Sequence, residues 1–127
     1  MKSLHRWIMV GLLVALGALT MYGCKDKNKN PVAPGGGADV TITITGQNGA
    51  SSYSPSPANV TVGQTVAWKN SGGMTHTATQ TGVVGGFNTG NIANGATSAP
   101  ITINTAGDLN YECNIHPSMT GILHVTP

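Results

Sequence analysis

The feature that most limits how this chain can fold is a strict alternation of apolar and polar residues beyond residue 39. Val40-Thr-Ile42-Thr-Ile44-Thr puts three β-branched aliphatics on one face and three threonines on the other. That period of two suits a half-buried strand and no helix. The pattern returns at Val60-Thr-Val62, at Val66 and Trp68, at Ile101 and Ile103, at Leu109, Tyr111 and Cys113, and at Leu123 and Val125. Gly63-Gln64 and Ser71-Gly72-Gly73 interrupt it, as turn residues do where the chain reverses. Residues 75–81 form a threonine-rich strand candidate around His76 and Ala78. Residues 82–96 read mostly as loop, with Phe87 the one large apolar side chain. Seven or eight short strands within residues 39–127 predict an all-β protein, an antiparallel β-sandwich.

Residues 1–23 stand apart from that domain. Lys2, His5 and Arg6 precede an apolar run over 7–19, the order of a secretory signal, whose apolar middle is about 7–15 residues long. A membrane-spanning helix needs roughly 20 apolar residues, and the polar run over 25–30 begins too soon. The Gly23-Cys24 pair at the end of the apolar run resembles the lipobox of bacterial lipoproteins. It implies that Cys24 is lipidated and becomes the mature N-terminus, with more than one acyl chain, since a single chain binds a membrane only marginally. Residues 24–38 carry three lysines, almost no apolar side chain and a Pro-Gly-Gly-Gly end. Such a segment cannot bury a core and reads as a flexible tether. The expected organisation is a signal over 1–23, a tether over 24–38 and a folded domain over 39–127.

Charge on that domain excludes one class of partner. From residue 39 onward there is one cation, Lys69, against Asp39, Asp108 and Glu112. Nucleic-acid binding needs clustered Lys and Arg, so none is expected. With Cys24 lipidated, Cys113 remains as the sole cysteine of the domain and no internal disulfide can form. A lone thiol in an oxidising compartment calls for burial or metal ligation.

Ligation is the better reading because of what surrounds Cys113. A thiol, an imidazole and a thioether lie within seven residues, at Cys113, His116 and Met119. Soft and borderline donors of this kind select copper over calcium or magnesium, and two histidines with one cysteinate and a weak axial methionine make a type 1 copper set. Zinc does not normally take methionine. The missing histidine is supplied by His76, after the Gly72-Gly73 loop. His124 alternates outward between Leu123 and Val125 and is expected on the surface. Met74 is expected on the loop surface, and Trp68 and Tyr111 in the core.

The run Tyr111-Glu-Cys113-Asn-Ile-His116-Pro117-Ser-Met119-Thr-Gly121-Ile-Leu123-His-Val125 resembles the C-terminal copper loop of the plastocyanin-like cupredoxins, and its short His-x2-Met spacing with Pro117 is most similar to amicyanin. Val60-Thr-Val62-Gly63-Gln-Thr65-Val66-Ala-Trp68-Lys-Asn70, followed by His76-Thr77, is similar to the strand leading to that family's first histidine ligand. The resemblance implies a Greek-key cupredoxin sandwich holding one type 1 copper, with His76, Cys113 and His116 as ligands and Met119 axial. Where the family often has Asn after the first histidine, this chain has Thr77, whose hydroxyl is expected to steady the loop instead. The implied function is one-electron transport, not enzymatic catalysis, since neither a second histidine cluster nor a second loop cysteine is present. Expected partners are a c-type cytochrome or a copper oxidoreductase, with the protein an exported monomer, periplasmic or cell-surface, held to a bacterial membrane through Cys24. Copper storage or delivery is the alternative.

Overall fold

A computed structural model describes residues 37–127. The expected signal, Cys24 and all but the last two residues of the expected tether lie outside the described residues. Among the described residues, eight strands build two four-stranded sheets. In the first, β1 (Val40–Ile44), β2 (Tyr53–Ser54), β4 (Thr65–Asn70) and β6 (Ile101–Thr102) run in the order β2-β1-β4-β6. In the second, β3 (Ala58–Thr61), β5 (Thr79–Gln80), β7 (Gly107–Glu112) and β8 (Thr120–Thr126) run in the order β3-β8-β7-β5.

The alternation seen in the sequence is the alternation of the core. Ile42 and Ile44 of β1, Val66 and Trp68 of β4, Leu109 and Tyr111 of β7, and Leu123 and Val125 of β8 are all buried in one cluster. Their strand neighbours Thr41, Lys69, Asn110 and His124 are exposed. Phe87 stacks on Trp68 at 5.3 Å, and Tyr111 lies edge-on to the same indole at 5.6 Å. Tyr111 also explains one glycine. A Cβ at Gly121, its partner across the β7–β8 pair, would lie 2.3 Å from the tyrosine Cζ, so only glycine lets the ring lie there.

Three expectations need correcting. The sandwich is not wholly antiparallel: β1 pairs with β4 in parallel, from Val40 opposite Val66 to Ile44 opposite Asn70, and β3 pairs with β8 in parallel. The reason is the crossover. Between β1 and β4 the chain visits β2 and then β3 of the other sheet, so β4 returns beside β1 in the same direction. The expected strand over 75–81 is regular only at Thr79–Gln80, while His76 makes a single bridge to Ile92. Val62 is 39% exposed, because β3 ends at Thr61 and the turn at Gly63 begins.

Candidate metal centre

Local hydrogen bonds show why the Cys-x2-His-x2-Met spacing forms a compact loop. The His116 N–H donates to the Cys113 carbonyl at 3.1 Å, and the Met119 N–H donates to the His116 carbonyl at 2.9 Å. Each two-residue spacer is thus one turn with an i to i+3 bond. The Cys113 N–H then donates to the Met119 carbonyl at 3.1 Å and closes the whole loop where β7 hands over to β8. Cys113 and Met119 are fully buried at its base, whereas Asn114, Ile115, Pro117 and Ser118 are exposed and His116 is half-buried at the top.

His76 arrives from a different part of the chain. Asn70, fully buried at the end of β4, organises the intervening loop. Its Nδ2 donates to the Met74 and Ile92 carbonyls, each at 2.7 Å, and its Oδ1 accepts from the Gly72 N–H at 2.9 Å. A Cβ on Gly72 would stand 2.7 Å from His76 Nε2, so the loop backbone lies directly against the imidazole. That Nε2 is buried and has no hydrogen-bond partner among the described residues, and the ring presents its other nitrogen to the Cys113 loop.

Three donor atoms converge as a result. His76 Nδ1 lies 3.2 Å from His116 Nδ1 and 3.9 Å from Cys113 Sγ, and His116 Nδ1 lies 3.8 Å from the same sulfur. A point equidistant from all three sits about 2.1 Å from each, matching the roughly 2.0–2.3 Å bonds that imidazole nitrogen and thiolate make to a transition metal. At that separation the two imidazole nitrogens need either a proton on one of them, making a hydrogen bond, or a metal ion between their lone pairs. Burial, and after it the neighbouring His116, hold the His76 pKa below its usual value, against an opposing contribution from the Gly72 backbone. The neutral, metal-ready imidazole is therefore favoured. Hard cations prefer oxygen donors, and this set has none.

Thr77 ties the two halves together. Its N–H donates to Cys113 Sγ at 3.3 Å and its Oγ1 accepts from the Asn114 N–H at 2.8 Å, so the hydroxyl does steady the loop. The other expectations can be placed as well. His124 is exposed and meets Asp108 at 2.6 Å on the outer face of the β7–β8 pair. Met74 is 48% exposed, its sulfur 3.0 Å from Gln47 Nε2. Trp68 and Tyr111 are core residues. Asn70 escaped the sequence reading as a site residue. Its place at a strand end before Ser-Gly-Gly was the available signal, since Asn at such a position bonds backbone nearby.

Among solved structures, the purple cupredoxin from Nitrosopumilus maritimus matches with a TM-score of 0.61 and 26% identity, covering 69% of this chain and 100% of that one. This domain has the cupredoxin fold, with a His-Cys-His cluster consistent with a type 1 copper site. The reduced Cu(I) form of an amicyanin variant matches this domain with a TM-score of 0.57 and 26% identity, over 68% of this chain and 81% of that one. The copper-containing nitrite reductase of Thermus scotoductus matches with a TM-score of 0.58 and 27% identity, over 69% of this chain but 22% of that one. No family model and no curated protein matches the sequence. His76, Cys113 and His116 form the candidate copper-ligand cluster.

Proposed function

We propose that this cupredoxin is a one-electron carrier of a bacterial cell envelope, with a single copper held by His76, Cys113 and His116 and with Met119 as the weak axial ligand. The observation that carries the reading is the convergence of two Nδ1 atoms and one Sγ within 3.9 Å of one another. A copper ion there would supply reversible one-electron chemistry. The chain's part is to keep the donors still. His76 is held by a loop anchored on the buried Asn70, Cys113 by the Thr77 N–H, and the Cys113–Met119 loop by its own turns. A site that barely moves between charge states suits transfer better than cargo handling.

Access would run through the half-buried His116. Ile115 and Met74 are 47% and 48% exposed, and Pro117, just past Ile115 in sequence, is exposed as well. Residues 70–107 hold no Asp, Glu, Lys or Arg at all. Such a surface suits the small, transient contacts of redox partners, roughly under 1,200 Å², here a c-type cytochrome or a copper oxidoreductase. We read the protein as a carrier and not an enzyme, because beyond His76 and His116 the sequence holds only His5 and His124, too few for a second histidine cluster. Lipidation at Cys24 would hold the carrier, as a monomer, on the periplasmic or cell-surface side.

Copper titration of the full chain tests this reading. One equivalent should produce intense visible absorption from thiolate-to-copper charge transfer, and voltammetry should show a reversible one-electron couple that moves in Met119→Gln. Binding without that absorption would sink the proposal.

A further inference from the structure

Among the described residues, the segment 76–78 has a backbone partner on one side only. There, His76 and Ile92 exchange backbone hydrogen bonds at 3.1 and 2.8 Å, the Ala78 N–H donates to Thr89 Oγ1 at 2.9 Å, and the Thr89 N–H donates to the Ala78 carbonyl at 3.1 Å. Alternate residues of an extended backbone point their polar groups to opposite sides, so the N–H and C=O of Thr77 face away from residues 89–92. Thr77 is buried, and buried backbone groups need partners. Two side chains stand in for the absent strand. Cys113 Sγ accepts from the Thr77 N–H, and the Tyr53 hydroxyl donates to the Thr77 carbonyl at 2.6 Å.

We propose that Tyr53 is a positioning residue of the metal centre: by clamping the Thr77 carbonyl, it holds the Thr77 N–H on the Cys113 sulfur and the Thr77 hydroxyl beneath the Asn114 N–H. The proposal rests on reading the cluster as a copper site. Tyr53 comes from β2, in the first sheet, and is 2% exposed, with its ring edge-on to Tyr111 at 4.8 Å. The ring is therefore fixed by packing and the hydroxyl is delivered to one place. Burial, helped by the nearby Cys113, raises its pKa far above that of an ordinary tyrosine, so the hydroxyl keeps the proton it donates. Hydrogen bonds at a ligating sulfur tune a copper site's potential. A donor draws charge from the thiolate and favours the reduced metal. Tyr53 thus acts on the sulfur from two residues away, through Thr77.

Tyr53→Phe separates the hydroxyl from the packing. In the metal-free full chain, amide hydrogen exchange at Thr77 and Asn114 should speed up about three- to tenfold relative to a reference amide such as Val125 in β8. In the copper-loaded chain, the reduction potential should fall and the charge-transfer band should move, with copper stoichiometry unchanged. Thr77→Val, which keeps the carbonyl but removes the hydroxyl, should release Asn114 and leave the Thr77 amide protected. If Tyr53→Phe accelerates Thr77 no more than Val125, or leaves band and potential at parental values, the clamp is overturned. If the parent protein itself gives no charge-transfer band, the copper reading fails, and the exchange measurement still decides the clamp.

Discussion

The two halves of the metal centre are held in opposite ways. The His76–Thr77 segment is buried and fixed from outside itself: Asn70 shapes the loop before it, residues 89–92 flank it, and Cys113 and Tyr53 take the polar groups of Thr77. The Cys113–Met119 loop is exposed over most of its length and shaped from within, by two consecutive turns and one closing bond, with Thr77 tying only its Cys113–Asn114 end to the other half. The first arrangement gives rigidity that depends on residues far along the chain. The second gives access, since a loop that closes on itself leaves its top free for a partner. Buried and open ligands thus have different tasks within one donor set.

That contrast can be attacked at several points. Cys113→Ser takes away the donor both halves share, and copper titration followed by absorption should show complete loss of the charge-transfer band. Gly72→Ala attacks the pinned half alone. Its Cβ meets His76 Nε2 at 2.7 Å and the Gly46 Cα at 3.0 Å, so overpacking should cost up to about 3 kcal/mol in urea unfolding and weaken copper binding as the imidazole moves. Asn70→Ala strands the Met74 and Ile92 carbonyls and the Gly72 N–H. A stability loss of about 1–3 kcal/mol is expected, with weaker metal retention as the loop loosens. On the open half, Ile115→Ala should change stability by no more than about 0.5 kcal/mol and leave the spectrum alone, while slowing electron exchange with a cytochrome c in stopped-flow mixing. A large stability loss in that last variant would show that the loop top is structural, and the contrast would fall.

How much of this could be read in advance follows the same division. Cys113 and His116 were legible because a thiol and an imidazole within one short stretch are metal donors, and the inward positions Val66, Trp68, Leu109, Tyr111, Leu123 and Val125 follow from period two. Thr77 was legible from its place after His76. Asn70 and Tyr53 were not, because what they do depends on Ile92 and on Thr77, 22 and 24 residues away. Sequence alternation shows which face of a strand is apolar but not which strand lies beside it, so the parallel β1–β4 and β3–β8 pairings were missed. The threonine-rich stretch around His76 looked like a strand because side chains define that pattern. Its backbone is instead partnered in part by a sulfur and a phenol, which leave no periodic trace.

The parallel pairing of β3 with β8 also has a kinetic consequence. Ala58 must find Leu123, and Val40 must find Val66, before either sheet is complete. Non-local pairings of this kind place a domain among the slow folders, on the order of milliseconds to seconds, because the entropy of closing long loops is lost before contacts compensate it. His76 and Cys113 are likewise 37 residues apart. Completing the donor triangle needs that long-range closure, so a metal ion arriving early would meet Cys113 and His116 in their local loop without His76. Copper capture should follow the closure of both sheets, making the finished sandwich the gatekeeper of its own cofactor.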